Sequence, residues 1–147
     1  QHMAVPGLAV PVSLIDVFDY WSQEVTKIQR SEKPFKKEDY AAFLQKMKRH
    51  YGDEIGIGLA VLNGMAYQYY NDKQYRNALH VWKLLLKEYP MFTYAHVSIA
   101  KAYLQLKDSK NAVLSLEQAI LDLQTNSFYS SEDKQSIRSE IEQLKSP

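Results

Sequence analysis

Apolar residues recur along this chain at spacings of three and four, the pattern of helices that bury one face. Leu14, Phe18, Trp21, Val25 and Ile28 form one such stripe. Ser13-Leu-Ile-Asp16 ahead of it reads as a capping box with Asp in place of the usual Glu. A helix is therefore expected from Ser13 to about Arg30, broken by Ser31-Glu-Lys-Pro34. A second is expected over 37–51, carrying Tyr40, Phe43, Leu44, Met47 and Tyr51, and stopped by Gly52. Near the other end Ile137, Ile141 and Leu144 make a narrow stripe amid charge, behind a cap at Ser130 or Ser131.

Between these flanks the pattern repeats. Residues 59–92 and 93–126 are both 34 long and align without a gap. Ala66 falls on Ala100, Tyr69 on Tyr103, Ala78 on Ala112, Trp82 on Leu116 and Leu85 on Ala119. Small residues at fixed places let paired helices approach, and large ones fill the space beside them. Pro90 closes the first copy, where the second has Gln124. These residues resemble the tetratricopeptide repeat (TPR), which expects large, small and aromatic residues at places 4, 8 and 11. It then expects Ala at 20, a large residue at 24, a small one at 27 and Pro at 32. Leu62, Ala66, Tyr69, Ala78, Trp82 and Pro90 meet those places, with Leu85 oversized; His96 and Gln124 are the second copy's departures. The resemblance implies an all-α fold: antiparallel helix pairs stacked as a short TPR-like α-solenoid of about seven helices. Two leading helices (13–55) and a C-terminal capping helix (127–147) would flank the repeats of 56–126.

In that family the first helix of each pair lines a concave groove. Carried over place by place, the groove residues here are Ala60, Asn63, Tyr67, Tyr70 and Asn71, then Tyr94, Val97, Lys101, Leu104 and Gln105. The family's carboxylate clamp needs Lys and Asn where Asn63 and Tyr67 stand, so that clamp is not expected. A tyrosine-rich, largely apolar face suits a protein or peptide, a helix, a neighbouring domain of the same polypeptide or a second copy in a homodimer. The alternative expectation is that a terminal helix fills the groove. A looser similarity links RHYGDEIGIGLAVLNGMAYQYY to the junction before short C-terminal TPR appendages of some bacterial serine esterases. It implies a hydrolase domain upstream and a role for this segment in dimerisation or active-site access.

Composition narrows the chemistry. The chain has 147 residues, 46% hydrophobic and 24% charged, an ordinary globular balance. Cysteine is absent, which removes disulfides, thiolate metal sites and a cysteine nucleophile, and leaves the compartment, cytoplasmic or periplasmic, open. No apolar run approaches the ~20 residues of a membrane span. Gln1-His2-Met3 reads as the remnant of an expression tag, and residues 4–12 as a Pro/Gly-punctuated linker. That start predicts a domain belonging to a longer protein. Net charge is +1, yet residues 27–50 carry eight Lys/Arg against three acids. A nucleic-acid domain has a stronger basic bias overall, so this segment is expected to be a solvated helical face.

No Gly-x-Ser-x-Gly elbow exists, and Gly56-Ile-Gly58 lacks the third glycine and preceding strand of a dinucleotide site. His50, His80 and His96 have no ligand spacing, and the adjacent acid pairs Glu38-Asp39, Asp53-Glu54 and Glu132-Asp133 do not share a helix face. Neither catalysis nor a cofactor or metal site is expected from this segment. In AYQYYNDKQYRNA (66–78), Tyr69 and Tyr75 fall on packing positions and Asn71–Gln74 on a turn. Tyr67 and Tyr70 remain as contact candidates.

Overall fold

The computed structural model describes residues 9–145, with side chains from Phe18 onward. It is all-α, with seven helices and no strand among the described residues. They are α1 (Ala9–Gln29), α2 (Lys37–Tyr51), α3 (Leu59–Asn71), α4 (Tyr75–Glu88), α5 (Tyr94–Gln105), α6 (Ser109–Thr125) and α7 (Ser131–Lys145). The chain forms two compact units, Gln1–Ile57 and Gly58–Pro147.

In the first unit α1 begins four residues before the expected start. Residues 9–12 are helical, so Ser13 lies inside the helix and cannot be its N-cap. Pro11 does not prevent this, because the first N–H groups of a helix have no intrahelical acceptor to lose. The expected tag remnant lies outside the described residues. Helix α2 has the expected bounds and buries Tyr40, Phe43 and Met47. Gly52 ends it at φ 81, donating its N–H to Lys48 O at 2.9 Å. Gly56 is fixed by contact: a Cβ there would stand 2.9 Å from the Tyr40 hydroxyl. Its carbonyl accepts from Trp21 Nε1 at 3.0 Å. Several cations of 27–50 have intramolecular partners. Buried Glu24 binds Lys27 and Lys46, and Lys48 lies 3.5 Å from Glu54. The hydrogen bonds from Lys27 and then Lys46 hold the Glu24 carboxyl below its ordinary range.

In the second unit the 34-residue period reappears in the backbone. Three hydrogen bonds close the α3–α4 turn: Asp72 N to Gln68 O, Lys73 N to Tyr70 O and Gln74 N to Tyr69 O. Thirty-four residues later Leu106 N bonds Ala102 O, Lys107 N bonds Leu104 O, and Asp108 N bonds Tyr103 O. Both sets are Schellman closures with one left-handed residue, Lys73 at φ 61 and Lys107 at φ 59. Gln74 and Asp108 then accept, through their carbonyls, from Ala78 N and Ala112 N as the next helix starts. Each copy is thus the same helix–turn–helix with an antiparallel pair.

The packing places behave alike. Leu62, Ala66, Ala78, Trp82 and Leu85 are fully buried in the first copy, as are Ala100, Ala112 and Ala119 in the second. Asn126 joins the copies, donating its amide to Met91 O at 2.7 Å and to the buried Thr93 hydroxyl at 2.8 Å. Ser130 is the cap of α7: its Oγ accepts from Asp133 N at 3.1 Å, and the Asp133 carboxylate accepts from Ser130 N at 3.2 Å. Ile137 and Ile141 of α7 join Val97, Ala100, Ala112, Leu116, Ala119 and Leu123 in one buried cluster.

Candidate partner-binding surface

The ten residues expected to line a groove divide between two helices, and their fates differ. On α3, Ala60 and Asn71 are exposed, together with Gly64 and Gln68 on the same side of the helix. Asn63, Tyr67 and Tyr70 lie half-buried at the border of this stripe. Each is held from below. Asn63 Oδ1 accepts from Trp82 Nε1 at 3.0 Å, satisfying the indole of a fully buried tryptophan. The Tyr67 ring meets Trp82 edge-to-face at 5.1 Å, and its hydroxyl is 3.0 Å from Ser98 Oγ on α5. Tyr70 packs edge-on against Tyr75 at 5.3 Å and tilts over Trp82 at 5.9 Å. The two contact tyrosines are therefore structural over most of their surface, and only their outer edges face solvent.

On α5 the expected groove is occupied by α7. Val97 is fully buried in the cluster that holds Ile137 and Ile141, and Tyr94 and Leu104 pack against that cluster. Tyr94 donates its hydroxyl to Glu140 Oε1 at 3.1 Å, and Lys101 Nζ reaches the same oxygen at 2.5 Å. The ammonium also lies 5.8 Å from the Tyr94 ring centre. The Tyr94 N–H donates to the Tyr129 hydroxyl at 3.2 Å, tying the α6–α7 connection to the start of α5. Tyr94, Val97, Lys101 and Leu104 thus do not form an open surface. Gln105 alone of the α5 set is exposed.

The electrostatics follow from this cover. Burial, and then the bond to Glu140, pushes the Tyr94 hydroxyl up to about 12. Burial disfavours the Lys101 ammonium, but the Glu140 carboxylate outweighs it and leaves the lysine above its ordinary value. His96 is half-buried and sits 3.2 Å from Asp122. Burial lowers its pKa, Asp122 pulls the other way, and the net displacement is downward.

Residue 9 of each copy makes the same kind of contact. Tyr67 bonds α5, the first helix of the following pair, and Lys101 bonds α7. Helix α7 therefore stands toward α5 much as α5 stands toward α3. Glu140 and Tyr129 escaped the sequence reading because they lie beyond the repeats. The available signal was a carboxylate one position from Ile141 on an otherwise polar helix, opposite a lysine at residue 9 of the preceding copy.

Among the described residues no three His, Asp or Glu side chains are grouped to hold a metal, and no helix is long and apolar enough to cross a membrane. A separate cleft of about 430 Å³ lies in the first unit, between Glu24, Lys27 and Ile28 on one side and Phe43 and Lys46 on the other. No family model, no curated protein and no solved structure matches this chain.

Proposed function

We propose that this chain is a non-catalytic, TPR-like module that mediates protein contacts, taking a peptide, a helix or a neighbouring domain on the open side of α3. The observation that supports this reading best is the pair of turns whose hydrogen bonds recur 34 residues apart, with the left-handed lysines in register. Repeats of this kind bury their apolar faces on one another and leave an elongated face free for binding. Ala60, Gly64, Gln68 and Asn71 form that face on α3, bordered by the edges of Tyr67 and Tyr70. Small residues admit a close backbone, the amides offer donors and acceptors, and the phenol rims add contact area at low entropic cost.

The test is a blocking substitution that leaves the fold alone. A Cβ at Gly64 meets nothing within 4 Å, and arginine is a better helix residue than glycine. The full chain and its Gly64→Arg/Gln68→Arg variant are used to capture partners, and one captured protein is purified and its affinity measured. The reading expects at least about a tenfold loss in the variant. Equal affinity for both chains refutes the α3 surface. Turnover of a chromogenic ester by the purified chain would refute the non-catalytic part.

A further inference from the structure

Helix α7 has 15 residues, and its polar and apolar grip on the neighbouring helices runs through few of them. Ile137 and Ile141 are buried and Leu144 is half-buried. Glu140 receives both Tyr94 Oη and Lys101 Nζ on one carboxylate oxygen. Glu132, Asp133, Gln135, Ser136, Arg138, Ser139, Glu142 and Gln143 are exposed. A cap that only shields an apolar end needs apolar cover. Here the covered surface also supplies a phenol and an ammonium aimed at one anion, a discriminating contact that accepts a carboxylate and rejects a neutral or basic residue.

We propose that the α5–α6 surface is a helix-binding site that α7 masks. Its ligand is a partner helix with aliphatic residues at i, i+4 and i+7 and a carboxylate at i+3, the spacing of Ile137, Ile141, Leu144 and Glu140. The partner enters by displacing α7. The apolar side chains fill the space beside Val97 and Leu116, and the carboxylate takes the Tyr94–Lys101 pair. Because α7 is tethered a few residues from the site, it competes at an effective concentration in the millimolar range. Binding in trans is therefore weak until α7 lets go. This deepens the interaction-module reading and rests on it, but at a different surface from the α3 stripe.

The probe is a labelled, N-acetylated peptide with the sequence of residues 131–145, titrated by fluorescence anisotropy against the full-length chain. Binding to an Ile137→Ser/Ile141→Ser variant, whose own α7 is loosened, is expected to be at least about 10-fold tighter than to the unaltered chain. Adding Lys101→Glu should weaken it by about 10-fold or more, and a peptide with Lys in place of the Glu140 residue should recover binding to that variant. Should the double-serine variant fail to fold by circular dichroism, Ile137→Ala in the full chain replaces it, since this loosens α7 while leaving Ile141 and the Glu140 contact in place. Equal binding to loosened and unaltered chains, or indifference to Lys101→Glu, overturns the proposal. Concentration-dependent dimerisation without peptide binding also overturns it, assigning the surface to a second copy. The Gly64→Arg/Gln68→Arg substitutions should leave peptide affinity unchanged, so failure here is distinguishable from failure of the α3 surface.

Discussion

At Lys73 and Lys107 the chain holds an L-residue in the left-handed region, at φ 61 and φ 59. That conformation costs a residue with a Cβ about 1–2 kcal/mol. Glycine escapes the cost but loses roughly 0.5–1 kcal/mol through its freer unfolded chain. The balance predicts that Lys73→Gly and Lys107→Gly each stabilise the second unit by about 0.5–1 kcal/mol. Among the described residues neither lysine has an ion pair, and the sites lie 34 residues apart, so the gains should add to about 1–2 kcal/mol. In a chain of this size that corresponds to a melting point higher by about 3–6 °C. The assay is urea unfolding followed by circular dichroism, with Glu117→Gly as the reference. Glu117 is an exposed residue inside α6, where glycine should cost about 1 kcal/mol. If the two turn variants lose stability as Glu117→Gly does, the turns are not left-handed closures, and the repeated backbone geometry is wrong.

Three further outcomes follow from single contacts. Asn126→Ala removes both amide bonds that clasp Met91 O and Thr93 Oγ1, and should cost about 1–2 kcal/mol in the same unfolding assay; a change within experimental error would show that the clasp is idle. A double-mutant cycle of Trp82→Phe with Asn63→Ala should give a coupling of about 1 kcal/mol for the indole–amide bond, and a coupling of zero would remove it. His96 has a folded pKa below its unfolded value near 6.5, so the fold favours the neutral imidazole. Stability should hold above that value and fall as pH drops through it toward the folded value, with His96→Gln flattening this segment of the profile. The low-lying Glu24 and Asp108 carboxyls contribute their loss only at more acid pH. A flat profile between pH 7.5 and 5.5, or one that His96→Gln leaves unchanged, contradicts the assignment.

How much was legible in the sequence depended on whether a residue's role was local. Helices α2 to α7 could be read from period and punctuation, because Gly52, Pro90 and a capping serine at 130 or 131 act on their own neighbours. The start of α1 could not. Pro11 breaks a helix only where a full turn precedes it, and in a first turn its missing N–H removes no intrahelical bond. The repeat register predicted which residues pack, since burial at each place follows from the stacked pair. It could not predict which groove residues stay open. Val97 and Lys101 look like Asn63 and Tyr67 in pattern, and differ because α7 happens to lie across them. Tyr67 and Tyr70 were expected as contacts for the same reason. Their rings are committed to Trp82, a tertiary fact that no spacing along one helix records.

Helix α7 lies across α5 and α6, where it closes the repeat stack and masks half of the expected groove. Methyl NOE spectra of the full chain, with Ile, Leu and Val methyls labelled, test this directly. Cross-peaks from Ile141 to Val97, Leu116 or Leu123, weakened by Ile137→Ser, are the predicted result. Ile137 and Ile141 methyls that show cross-peaks only within their own helix would contradict it.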